Sequence, residues 1–150
     1  MSFPLLFEKT LKSEIAPVRQ TVAQILAFIA ESAKLSEEDA WDLRLVFSEL
    51  LYNAVIHGNG CDASKRITVR VQACPTQVTA AITDEGSGFD HQSLLSCLDA
   101  ANSAADTDMA SILKEDGRGI RLAYALTDTL YFNNRGNEII FRKRMMDSGG

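Results

Sequence analysis

The chain has 150 residues, of which 15 are Lys or Arg and 20 are Asp or Glu, so its formal charge is −5. This length suits a single domain spanning 1–150 with its own core, and a hydrophobic content of 46% argues against a disordered chain. The acidic balance disfavours direct binding to nucleic acid, because such binding depends on Lys and Arg displacing counterions from phosphates.

The sequence also gives no sign of a membrane or secreted protein. No run approaches the roughly 20 apolar residues that a bilayer span needs. The segment 1–14 lacks the charged and apolar regions of a secretory signal. Three scattered cysteines form no CxxC pair, so neither a disulfide framework nor a zinc site is indicated. We therefore expect a reduced, cytoplasmic protein.

The first third of the chain has strand and helix patterns. Residues 4–11 predict a short opening strand, and apolar residues at helical spacing predict an amphipathic helix over 14–33. Ser36 begins a second helix, with Asp39 at the position of a capping box. That helix is expected to end near 58–60, where two glycines flank an asparagine.

The rest of the chain adds two hairpins and a third helix. Four runs have the character of strands: 67–71, 78–82, 129–133 and 138–144. Turns at 74–77 and 134–137 pair these runs as antiparallel hairpins, and a helix opens between them at 117–119. This order predicts an α+β fold, a two-layer sandwich in which helices cover one face of a mixed, mostly antiparallel sheet.

A long connection separates two glycine clusters in the sequence. Residues 91–116 contain a small, polar stretch with no clear period, and connections of this length in compact domains are often functional. A segment that closes over a bound nucleotide would exclude water from a transferring phosphoryl group. Such connections are either functional lids or disordered. If the protein binds a nucleotide, we expect 91–116 to be its lid.

The second helix carries polar residues among apolar neighbours. Glu49 and Asn53 are four residues apart and share one helix face, with His57 one turn further along. These residues could simply occupy a narrow exposed stripe, which burial statistics favour for an isolated pair. The sharper interpretation is a carboxylate base beside an oxygen ligand for Mg²⁺.

Two glycine motifs are the other candidates for chemistry. Asp84 ends a strand, and Gly86 and Gly88 follow it, so the carboxylate could accept a hydrogen bond from an amine of a planar ligand. The segment 117–119 precedes a helix, whose free N–H groups form an anion site. Alone, the first motif is equally typical of a turn and the second of a plain loop-to-helix junction.

Together the motifs resemble a known family across essentially the whole chain. They are Glu49-x-x-x-Asn53-Ala-x-x-His57-Gly58, Asp84-x-Gly86-x-Gly88-Phe89-Asp90 and Gly117-Arg118-Gly119-Ile120. In this order they resemble the Bergerat-type ATP-binding fold of the GHKL ATPase and kinase superfamily. Within that superfamily the chain is most similar to the small bacterial anti-sigma-factor serine/threonine kinases.

The resemblance implies a role for each matching residue. Glu49 would be the general base that accepts a proton from the attacking hydroxyl. Asn53 would coordinate the Mg²⁺ that bridges the ATP phosphates. Asp84 would accept a hydrogen bond from the adenine amino group, in a pocket shaped by Gly86 and Gly88.

The remaining motif residues are assigned to the same ATP site by the resemblance. Gly117, Arg118 and Gly119 would lie against the phosphates at the hinge of the lid. His57 and Ile120 belong to the matching motifs and are counted with the cofactor-binding residues.

The resemblance also implies a function and partners. It implies a kinase that phosphorylates a serine or threonine of an anti-sigma antagonist of the STAS type, and regulates a sigma factor by partner switching. A homodimer is implied as well, with the first helix and the opening strand as its interface. The alternative is an ATP-gated module that binds a partner and transfers no phosphate, although Glu49 favours the enzyme.

Overall fold

The computed structural model describes residues 5–86 and 118–145, and within them five strands form one sheet. The strands are β1 (Leu5–Lys12), β2 (Arg66–Cys74), β3 (Gln77–Thr83), β4 (Thr129–Phe132) and β5 (Glu138–Arg144). Their order across the sheet is β1-β2-β3-β5-β4, and every pair is antiparallel. The two predicted hairpins are confirmed, and β5 joins them by pairing with β3.

Three helices lie on one face of this sheet. They are α1 (Ala16–Ser32), α2 (Glu37–Asn53) and α3 (Arg118–Leu126). Alternate strand residues and one face of each helix are buried in a single hydrophobic cluster. Within it the rings of Phe47 on α2 and Phe141 on β5 meet edge to face, with centroids 5.2 Å apart. The predicted α+β fold with helices on one face is therefore confirmed.

Two details of the fold differ from the sequence-based expectation. The second helix ends as an α-helix at Asn53 and continues as a π-helical turn over Ala54–Gly58. The described sheet contains no parallel pair, because both hairpins and the pairing that joins them are antiparallel. None of the helices in the described ranges combines the length and apolar character needed to cross a membrane.

Part of the predicted site lies outside the described residues. The lid over 91–116 falls there, as do Gly88, Asp90 and Gly117. Their assignment stays a prediction.

Candidate functional site

Helix α2 carries the two polar residues that the sequence singled out. Its N-terminus is capped by the Ser36 hydroxyl, which accepts a hydrogen bond from the N–H of Asp39 at 3.0 Å. Its buried face packs into the core, whereas Glu49 and Asn53 are half-buried at its C-terminal end. Within residues 5–86 and 118–145, neither side chain has a hydrogen-bond partner.

The first turn of α3 packs directly against Glu49. A Cβ atom added at Gly119 would overlap the Glu49 carboxylate oxygen Oε2 and would lie 3.3 Å from the Glu49 Cβ. A side chain at position 119 would require the Glu49 carboxylate to move, so the contact places the start of α3 beside this carboxylate. Two motifs that are 70 residues apart in the chain are thus brought together.

A second close contact lies at the π-helical turn. The N–H of Asn59 donates to the carbonyl of Ala54, five residues earlier, at 2.9 Å. A Cβ at Gly58 would overlap the Asp84 carboxylate, and one at Gly86 would overlap the Gly58 carbonyl oxygen. The end of the α2 segment therefore packs against the exit of β3, and π-helical turns of this kind are frequent at functional sites.

The Asp84 carboxylate is buried at this contact, with only 8% of the residue exposed. Its Oδ1 accepts a hydrogen bond from the N–H of Gly86 at 2.8 Å. Burial raises the pKa of the Asp84 carboxyl, and the hydrogen bond from Gly86 and the charge of Lys65 oppose this rise only in part. A buried carboxylate whose second oxygen has no described partner is suited to accept a hydrogen bond from a ligand amine.

Asn59 holds the Asp84 segment in place and was not predicted from the sequence. Its side chain is 3% exposed; its Nδ2 donates to the Arg66 carbonyl at 3.1 Å, and its Oδ1 accepts from the Glu85 N–H at 2.8 Å. The residue therefore connects the π-helical turn to the start of β2 and the exit of β3. In the sequence, the only sign of this role is that Asn59 directly follows His57 and Gly58 of the first motif. An Asn beside glycines is equally typical of a loop.

The other predicted site residues fall in two places. His57 is half-buried on the π-helical turn, between Asn53 and Gly58. Ile120 is fully buried in the hydrophobic cluster, where it anchors the first turn of α3. Arg118 is the first residue of α3. The roles of these three residues toward ATP stay predictions.

The donor groups fit a metal ion that is shared with phosphates. Among residues 5–86 and 118–145 no cluster of three His, Cys, Asp or Glu side chains could enclose a metal. Asn53 instead offers one oxygen donor, with the Glu49 carboxylate one turn away on the same face. Mg²⁺ keeps several waters and commonly uses one or two protein ligands plus substrate phosphates, so this donor set suits Mg²⁺ bound together with a nucleotide.

Comparison with known proteins identifies the family to which the sequence is similar. The pattern of the histidine kinase-like ATPase domain matches residues 11–143. The chain is 29% identical over 124 residues to the anti-sigma F factor of Clostridium perfringens strain SM101, a match that covers 81% of this chain and 83% of that protein. It is 28% identical over 124 residues to the same factor of strain 13, with the same coverage. A 66-residue segment is 38% identical to the anti-sigma F factor of Pasteuria penetrans and covers 43% of each chain.

Proposed function

The chain belongs to the histidine kinase-like ATPase domain family, and from this membership we propose that it is an ATP-dependent protein serine/threonine kinase of the anti-sigma-factor type. The observation that carries the proposal is the path of α2. This helix and its π-helical turn connect the Glu49 contact with α3 to the Gly58 contact with Asp84. One continuous helical segment thus runs between the two ends of the proposed nucleotide site.

Asp84 is proposed to recognise the adenine ring. Its buried carboxylate accepts a hydrogen bond from the adenine amino group, while the close packing of Gly58 and Gly86 fixes the direction of its oxygens. Asn59 keeps this segment in register through its bonds to the backbone of Arg66 and Glu85. Gly88 is assigned to the same pocket as a prediction.

At the other end of the site, Asn53 and the start of α3 are proposed to face the phosphates. Asn53 would hold Mg²⁺, which neutralises phosphate charge when it is bound. The first N–H groups of α3 lack partners within the helix and so favour an anion. Gly117, Arg118 and Gly119 are assigned to the phosphates here.

Glu49 is proposed to act on the hydroxyl of the protein substrate. Its carboxylate accepts the hydroxyl proton as the hydroxyl oxygen bonds to the γ-phosphorus and the bond from that phosphorus to the ADP oxygen breaks. The packing of Gly119 against the Glu49 side chain keeps the carboxylate at the α3 end of the site. General-base assistance of this kind contributes about 10²–10⁴-fold to a rate.

The substrate and partners are proposed from the relatives. We infer that the substrate is a serine or threonine of an anti-sigma antagonist of the STAS type, because the similar proteins are named anti-sigma F factors. A sigma factor as a second partner, a homodimer and a cytoplasmic location belong to the same proposal.

Replacement of Glu49 by glutamine tests the catalytic role. The Glu49→Gln variant keeps the size of the side chain but cannot accept the proton. We expect phosphate transfer from labelled ATP to the antagonist protein to fall by about 10²–10⁴-fold, with ATP affinity changed little. Glu31→Gln, on an exposed position of α1, is the matched control and should transfer at the parental rate.

The outcomes separate the two candidate functions. Parental activity in Glu49→Gln would show that this carboxylate is not the base. ATP binding without any labelled antagonist in the parental protein would instead favour the ATP-gated binding module.

A further inference from the structure

The face of the sheet opposite the helices is uncovered by any described element. The outward side chains of the strands are exposed or half-buried, whereas their inward neighbours belong to the core. Around its centre this face carries small or polar residues: Thr68, Gln72, Thr79, Ala81 and Thr83. It lies on the other side of the sheet from Glu49, and an inference about it is independent of the nucleotide site.

Positive charge is concentrated on this open face, although the chain as a whole carries −5. Among the described strands its cationic residues are Lys12, Arg66, Arg70, Arg142 and Arg144, and its carboxylates are Glu8 and Glu138. The ion pair between Arg70 and Glu8, at 2.9 Å, uses one residue of each sign. The Glu138 carboxylate accepts the Thr83 hydroxyl at 2.6 Å. Outside the strands, the Glu85 carboxylate accepts a hydrogen bond from the Arg66 N–H, and the Asp128 carboxylate accepts one from the Arg144 N–H. The cations of the strands still outnumber the carboxylates of the strands on this face, which favours an acidic partner.

A groove on this face contains an arginine without a partner. The groove lies beside the edge strand β4, has a volume of about 330 Å³ and is lined by Thr79, Thr129, Tyr131, Ile140 and Arg142, with Phe141 beneath. The Nε atom of Arg142 is buried and has no hydrogen-bond partner among the described residues. A buried N–H without a partner is unfavourable in the free protein. Arg142 as a whole is only half-buried, so the exposed part of its guanidinium can donate to an acceptor that a ligand supplies.

The groove also has the composition of a protein-binding site. Tyr131 is 52% exposed beside Ile140, and its ring and the arginine stem offer apolar surface next to a charge. Tyr and Arg are enriched among the residues that dominate protein–protein affinity. We propose that this groove binds an acidic segment of a partner protein, with a Glu or Asp carboxylate on Arg142 and an apolar side chain against Tyr131.

A second copy of this chain is a poorer occupant of the groove. Face-to-face association would bring Arg142 and Arg144 near the cations of the other copy, and like charges in an interface oppose binding. An acidic partner meets no such repulsion.

A peptide titration tests the proposal on the full chain. The probes are the acetylated, amidated hexapeptide of alternating Glu and Leu and its counterpart with Lys in place of Glu, added up to millimolar concentration to ¹⁵N-labelled protein. We expect the acidic peptide alone to shift the amides of Thr79, Thr129 and Ile140. Arg142→Gln should weaken its binding by about tenfold, consistent with loss of a charge-assisted hydrogen bond.

A matched variant and a second residue keep the result interpretable. Arg70→Gln lies on the same face, is already paired with Glu8 and should change affinity less than about twofold if the groove binds the peptide. Tyr131→Ser, at an exposed position, should weaken binding even if Arg142→Gln unfolds. Equal losses in both arginine variants, no shift at millimolar peptide, or a dimer that Tyr131→Ser dissociates in sedimentation would each overturn the proposal.

Discussion

Asp84 is a carboxylate that the fold keeps buried although burial disfavours its charged form. Its pKa is raised above the ordinary value of 3.8 by burial, with the Gly86 N–H and Lys65 opposing the rise. In the free protein this is a destabilising arrangement at neutral pH, because the unfolded chain solvates the charge fully. Active sites commonly contain groups of this kind, because a ligand can make use of the buried acceptor.

Asp84→Asn should therefore separate stability from nucleotide binding. Without ligand at neutral pH, the variant should have a higher free energy of unfolding than the parent, because the buried charge is gone. As the pH falls through the raised folded pKa toward 3.8, the parent binds its proton and the advantage should disappear. Urea unfolding at several pH values measures the difference, and calorimetry should show weakened ATP binding by the variant.

Asp62 is the control, because its pKa is shifted in the opposite direction from that of Asp84. Its pKa is lowered, first by the hydrogen bond from the Ser64 hydroxyl at 2.6 Å and then by the one from the Ser64 N–H. Any stability that this exposed group contributes is fully present above pH 3.8, the ordinary pKa of the group. That stability is lost as the pH falls through the lower pKa that the group has in the folded protein. Asp62→Asn should thus bring no gain at neutral pH. A gain equal to that of Asp84→Asn would contradict the burial argument.

At the scale of elements, the site depends on how α2 ends. The π-helical turn over Ala54–Gly58 carries the chain from the Asn53 position to the Asp84 segment without a change of element. Lys143 of β5 fixes the neighbouring helix, since its Nζ donates to the Leu126 carbonyl at the end of α3 and lies 3.6 Å from the Asp42 carboxylate of α2. Both helices of the site are thus tied to each other and to the sheet.

Asn59→Ala should loosen the connection between the π-helical turn and the sheet. The change removes two hydrogen bonds and leaves the Glu85 N–H and the Arg66 carbonyl without these partners. Loss of a buried partner costs about 1–3 kcal/mol, so the free energy of unfolding in urea should fall by that amount. ATP affinity should fall as well, because the segment that holds Asp84 is no longer fixed.

Asn134→Ala is the matched control for this prediction. Asn134 is exposed in the turn between β4 and β5 and should tolerate the change with little loss of stability. Equal destabilisation by the two variants would show that Asn59 is not a specific connection.

On the scale of the whole molecule, the sheet separates two surfaces with different chemistry. The helix side carries the carboxylates and glycines of the proposed nucleotide site, and the open side carries most of the strand cations. If both proposals hold, one domain could bind a nucleotide on one side of the sheet and a protein partner on the other. Among the described strands, only two carboxylates, those of Glu8 and Glu138, lie on the open face.

Ligand binding should be visible in the stability of the whole domain. ATP with Mg²⁺ at about 100 times its dissociation constant should raise the free energy of unfolding by about 2.7 kcal/mol. Thermal unfolding measures this as a higher Tm, with GTP as the control that lacks the adenine amino group. A Tm unchanged by ATP, or raised equally by GTP, would contradict the assignment of Asp84.

Much of the fold was predictable because local patterns reflect burial. The helical spacing of apolar residues in α1 follows its buried face, and the alternation in β2 follows a sheet covered on one side only. The turns of both hairpins are also encoded locally. The end of α2 was not predictable from the sequence. A π-helical turn differs from an α-helix in that its hydrogen bonds join residues five apart and not four, and no particular residue type marks this difference.

The sequence by itself determined the described strands and helices except for the end of α2, the helical face shared by Glu49 and Asn53, and the motif order that indicated the family. Only the tertiary structure decided that Gly119 packs on Glu49, that Gly58 packs on Asp84 and that Asn59 connects the turn to the sheet. The physical reason is that these contacts join residues distant in the chain. Their formation depends on how the core packs α2 and α3 against the sheet, which no local pattern of residues specifies.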